Sequence, residues 1–167
     1  MRILISLLLV ITATRTYAHT PAISEVRVLY RGAASNSISC STLLSLLDLF
    51  NENNNPLLAG YKACATMIMA TYVINPFKKL SIFKQGKLLL ERSIAKDKKN
   101  IELRFLRFSV QTEAPQFLGY NKAMQEDKSF IIKNFAGLTD LQLKQLIISF
   151  LRTSTYLSTA EKQIVNR

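Results

Sequence analysis

Arg104 and Arg107 stand one helical turn apart, and the loop that follows them carries Phe117 and Tyr120 between Pro115 and Asn121. Two guanidiniums so spaced can grip an anionic group through forked donors. Tyrosine and arginine are also favoured anchors of protein interfaces. Arg104, Arg107, Phe117 and Tyr120 are therefore candidates for binding a partner protein. The competing reading is structural: the arginines pair with Glu102, Glu113 or a neighbouring helix's acid, and the aromatics plug the end of a bundle. A second group, Lys78, Lys79, Lys84 and Lys87 around Phe77, Leu80 and Phe83, forms an amphipathic element suited to an anionic surface. Its alternative is a solvated helix face.

Much other chemistry is excluded by what the chain lacks. There is one histidine, His19, and no tryptophan, so nucleophiles activated by a histidine base are disfavoured. A copper site at His19 would need a second histidine. Cys40 and Cys64 are 24 residues apart, which is no metal or redox motif. In an oxidising compartment they could form one disulfide, and as residues set among apolar and small neighbours they could equally be two buried thiols. The five glycines are isolated and build no phosphate loop. Glu91, Glu102 and Glu113 recur at 11-residue intervals, which would align them on one continuous helix. Residues 96–100 break that helix, so carboxylate hydrolysis ranks last among the functional readings. The chain is expected to be no enzyme and to need no cofactor or metal.

The elements that would position these residues are helices. Thr20-Pro21, Asn55-Pro56 and Asn75-Pro76 read as N-caps followed by proline at the first helical position. Thr139 to Gln142 and Ser158 to Glu161 have the capping-box pattern. Helices are predicted over about 21–33, 38–52, 56–73, 76–97, 100–113, 121–135, 139–153 and 158–166. Leu43, Leu46, Leu47 and Phe50 make one core stripe, and Leu143, Leu146, Ile147, Phe150 and Leu151 another. Residues 25–30 could be a short strand or a helix with Val26, Leu29 and Tyr30 inward. The asparagines of 51–55 mark a loop. Small residues at Ala59, Gly60, Ala63, Cys64 and Ala65 would let a neighbouring helix come close. Lys62 and tyrosines within 57–74 argue against a membrane span there and put Lys62 at a rim. The fold class expected is all-α, a single-domain bundle or array of antiparallel helices.

Residues 1–18 read as a signal peptide, with Arg2 before an apolar run and Thr16-Tyr17-Ala18 as processing site. The run is too short to span a bilayer comfortably. Residues 19–167 would be a single helical domain. Removing the leader takes away Arg2 and Arg15 and no acid, leaving a net charge of +9 against +11 for the whole chain. That excess favours an anionic lipid, a polyanionic glycan or an acidic protein, unless it serves solubility alone. Nucleic acid is not expected outside the cytoplasm. The location implied is periplasmic or secreted, with no integral membrane span after cleavage.

In the stretch PFKKLSIFKQGKLLLERSIAKDKKN, Gly86, Leu90 and Ser93 fall where a tetratricopeptide repeat places small, large and small residues, and the second half resembles that repeat's second helix and exit turn. Lys98 stands where the repeat usually has proline, and no second copy follows. More of the chain, through NPLLAGYKACATM, NPFKKLSIFKQGKLLLE and NIELRFLRFSVQTEAPQFLGYNK, resembles a group of exported bacterial helical proteins with no known activity. That likeness implies export and helices. The function expected first is a protein-binding module of the cell envelope, and second a surface or lipid-binding protein using the lysine-rich helix and an apolar groove.

Overall fold

Asparagine and proline set where the helices start. The Asn55 side chain accepts from the Leu58 amide at 3.1 Å, with Pro56 at the first helical position. Asn75 accepts from the Phe77 and Lys78 amides ahead of Pro76, and proline there loses no hydrogen bond. Asn36 and Asn100 cap two further helices in the same way. In the computed structural model, which describes residues 20–165, the elements are α1 (Ile23–Ala33), α2 (Ser37–Leu46), α3 (Pro56–Met69), α4 (Pro76–Lys96), α5 (Ile101–Glu113), α6 (Met124–Phe135), α7 (Leu141–Thr153) and α8 (Thr159–Val165). Short 3-10 turns follow α3 at Ala70–Tyr72 and α5 at Gln116–Leu118. The chain is all-α, helix packed on helix, with no strand among the described residues. The leader expected over 1–18, and His19, lie outside them.

Several expected starts move. Helix α1 begins at Ile23 with Ala22 in the cap position and no side-chain cap, so Thr20 does not serve. The cap of α7 is Asp140, not Thr139: its carboxylate accepts from the Leu143 amide at 3.0 Å. The Ser158 and Glu161 capping box forms as expected, each side chain bonded to the other's amide. Helix α2 stops at Leu46, earlier than position 52, because the asparagine loop folds on itself. Asn51 accepts from the Asn53 and Asn54 amides, and Asn54 accepts from the Asn51 amide. Lys62 donates to the Asp48 and Phe50 carbonyls at the end of α2, a rim role.

The most extensive helix pair is α3 with α4, and small residues make it. A Cβ on Gly86 would sit 2.6 Å from the Ala63 carbonyl oxygen. Only glycine admits the α3 backbone that closely. Helix α5 has two apolar faces, and each enters a different core. Leu103 and Leu106 join Val26, Leu43, Tyr61, Cys64 and Leu90 in the first core, built from α1 to α5. Phe105 and Phe108 join Ile131, Phe135, Ile147 and Leu151 of α6 and α7 in the second. A leucine or phenylalanine so buried contributes about 1.5–3 kcal/mol relative to an exposed one. The helix is therefore the wall shared by two cores, and its polar residues have only narrow edges to occupy.

Candidate functional site

Two ion networks occupy those edges. At the start of α5, Arg27 of α1 makes a forked pair with Glu102, Nε to Oε1 at 2.7 Å and Nη2 to Oε2 at 2.8 Å. The same guanidinium donates to both Asp140 oxygens, at 3.1 and 2.7 Å, and to Gln142 Oε1. Tyr61 of α3 donates its hydroxyl to Glu102. One arginine, 4% exposed, thus ties α1, α3, α5 and α7 together. Burial alone would pull its proton affinity down, but the bonds and charges of Glu102 and Asp140 outweigh that and raise it. Burial, then the Glu102 charge, pushes the Tyr61 phenol up.

The second network lies one turn on. Arg107 makes a forked pair with Asp127 of α6, at 2.6 and 2.8 Å, and reaches Glu91 of α4 at 2.7 Å. Tyr120 donates to the other Glu91 oxygen at 2.7 Å. Arg104 bonds Asp127 at 2.9 Å and Glu126 at 2.7 Å, and its Nε reaches the Lys98 carbonyl. Asp127 is fully buried. Burial pulls Arg107 down, but Asp127 and Glu91 more than restore it. Gly119 adopts φ 59°, a left-handed turn that suits glycine, between exposed Phe117 and inward Tyr120.

These contacts redraw the partner patch expected from the residues. Arg107 and Tyr120 are interior, Arg104 is paired on its exposed edge, and Phe117 alone, 85% exposed, faces outward. The reason is that α5 has no open face: acids of α4 and α6 stand where a partner's would. Glu91 and Glu102 belong to the two networks, their oxygens taken by guanidinium and phenol, while Glu113 is exposed. The three do not converge on a cleft. For the cysteines, the sequence left both a disulfide and two buried thiols open. Cys40 and Cys64 are separate thiols, their sulfurs turned to the Ala65 and Leu106 carbonyls at 3.3 and 4.0 Å. Burial pushes both thiols up, away from the nucleophilic thiolate. Of the lysines, Lys78, Lys79 and Lys84 are exposed and make no ion pair among the described residues, whereas Lys87 lies half-buried with Nζ 4.8 Å from the Tyr120 ring centroid. Among the described residues no group of three or more His, Cys, Asp or Glu could hold a metal. None of their helices is long and apolar enough to cross a membrane.

What the two cores leave open is a groove along their seam. It has a volume of about 900 Å³ and is walled by Met67 and Phe83 from the first core and by Phe105, Leu146 and Phe150 from the second. Hydroxyls in its wall are already bonded. Tyr30 and Ser109 are paired at 3.2 Å, and Thr71, Ser149 and Thr153 each donate to a carbonyl of the preceding turn. The groove therefore asks for no polar group at its floor. Its charged lining residues are Arg31, Lys79 and Glu113, all exposed and without ion pairs among the described residues. A smaller recess of about 280 Å³ shares Glu113, Phe150 and Thr153 with it and adds Thr112, Ser154, Thr155 and Tyr156.

Sequence reading did not locate these residues. Met67, Phe83, Phe105 and Phe150 look like any core position, and only the tertiary arrangement sets them along the groove. Arg27 was also missed. Its signal was a lone cation beside Val26 in a stretch whose other inward positions are Leu29 and Tyr30. Compared with family models, curated proteins and solved structures, the chain matches none.

Proposed function

We propose that this chain is a non-enzymatic, exported binding protein that takes the hydrocarbon tail of an amphiphile with an anionic head into the groove between its two cores. The observation that carries this is the groove itself. Its volume, about 900 Å³, lies high in the range of about 300–1,000 Å³ typical of small-molecule sites. Its wall has satisfied its own polar groups, so a hydrocarbon chain gains burial and strands no donor or acceptor. Arg31 and Lys79 at the rim outnumber Glu113 and suit an anionic head. The exported setting rests on the leader-like residues 1–18 and on the likeness to exported helical proteins.

The protein-partner reading has less support, since the residues that would anchor it are spent in the Arg107 network. It survives in one form, an amphipathic helix of an envelope protein laid in the same groove, and exposed Phe117 favours that form. Titration with a fluorescent long-chain fatty acid tests the proposal. Saturable one-to-one binding, displaced by oleate and lost in Ser149→Trp, is expected. Ser149 is exposed, lines the groove and bonds only its own helix, so the new ring obstructs the groove without opening a core. Binding that Ser149→Trp leaves intact would overturn the proposal.

A further inference from the structure

Residues 74–81 are eight exposed positions in a row, from the connection before α4 through its first two turns. This end of α4 lies at the surface. It carries large apolar side chains in water: Ile74 is 98% exposed, Phe77 84% and Leu80 37%. An apolar cluster of this kind on a rigid element marks a contact surface. Asn75 and Pro76 hold it rigid by capping the helix. Lys78, Lys79 and Lys84 are interleaved with it, and no acid occurs from Val73 to Leu90. The same end leads into the groove, whose lining includes Pro76, Phe77, Lys79 and Leu80.

We propose that this end of α4 docks on an anionic bilayer, with Ile74 and Phe77 entering the boundary between headgroups and acyl chains and Lys78, Lys79 and Lys84 contacting lipid phosphates. The proposal rests on the groove reading only in its purpose: docked this way, the groove's mouth faces the membrane, the source of its ligand. Charge decides the occupant. A second copy would set these lysines against their own kind, which opposes self-association through this face. A bilayer rich in anionic lipid accepts both the lysines and the apolar tips between them.

The test is co-sedimentation of the protein with vesicles of phosphatidylcholine, with and without a third of phosphatidylglycerol. Binding is expected only with the anionic lipid, and it should fall steeply with salt. Ile74→Asp should weaken it by about tenfold or more, the cost of withholding one aliphatic side chain from an apolar phase. Lys78→Gln with Lys84→Gln should weaken it by roughly 25-fold, near fivefold for each lysine. None of these three residues lines the groove, so fatty-acid titration without vesicles should be unchanged in all of them. Ser149→Trp should behave in the opposite way, losing fatty acid and keeping vesicles, so failure of one proposal is not mistaken for failure of the other. Vesicle binding that ignores the anionic lipid, or variants that bind as the natural chain does, would overturn the docking. So would a concentration-dependent dimer or an acidic protein captured through this face in place of vesicles.

Discussion

The edges of α5 and the seam of the two cores treat their side chains in opposite ways. Along the edges, every charge meets its partner inside the chain: Arg27 with Glu102 and Asp140, Arg107 with Asp127 and Glu91, Arg104 with Glu126. Along the seam, apolar side chains of both cores line a groove, and the charges at its rim, Arg31, Lys79 and Glu113, make no ion pair among the described residues. The first arrangement holds four or more helices to one another and has nothing left to offer a ligand. The second leaves a groove beside the cores whose binding capacity is unspent. In this molecule the residues richest in chemical functionality are structural, and the plainest hydrocarbon surface is the better candidate for function.

Variants can break this contrast, starting with the networks. Asp127→Ala should destabilise by about 3–5 kcal/mol, because it leaves Arg107 buried without its forked partner. Urea unfolding would measure that, and fatty-acid binding by the molecules that remain folded should be retained. Gly86→Ala should cost about 1–3 kcal/mol by forcing α4 off the Ala63 carbonyl, read as a lowered urea midpoint. Ser149→Trp should reverse the pattern, with affinity down tenfold or more and stability within about 0.5 kcal/mol of the natural chain.

Acid provides a gentler probe of the first network. The Arg27 hydrogen bond, and then the Leu143 amide, holds the Asp140 carboxyl below its usual 3.8. A group depressed in the folded state stabilises it fully above the unfolded value and loses that contribution as pH falls through the folded one. Stability of the natural chain should therefore drop more steeply below about pH 4 than that of Asp140→Asn, which keeps a good helix cap and loses the titrating charge. Melting temperatures at stepped pH would show the difference. Smallest of all is the effect of reductant. With Cys40 and Cys64 as separate thiols, dithiothreitol should leave the melting temperature unchanged, and two thiols per chain should titrate after denaturation without reduction.

Local signals were legible in proportion to how local their physics is. Asn55-Pro56, Asn75-Pro76 and Ser158 with Glu161 announced helix starts, because a cap needs only residues within one turn. Thr20-Pro21 misled for a complementary reason: Ala22 took the cap position although it has no side-chain acceptor. The apolar texture of α5 announced burial on most sides, and the alternative offered for Arg104 and Arg107, pairing with acids of their own molecule, describes the geometry found. Which acids, however, depended on α6 and α4 lying 16 to 23 residues away, a distance over which no spacing rule operates.

What the sequence by itself determined is the list of helices, the small-residue face of α3 that admits Gly86, and a basic helix end with no acid near it. These follow from backbone propensity, capping and periodicity, which act within a turn or two. Tertiary structure alone decided that α5 would divide the apolar residues into two cores, that Arg27 would reach Glu102 across 75 residues, and that the seam would stay open. Those outcomes turn on how whole helices pack against one another. An identical leucine or phenylalanine is core or groove according to whether a neighbouring helix happens to cover it.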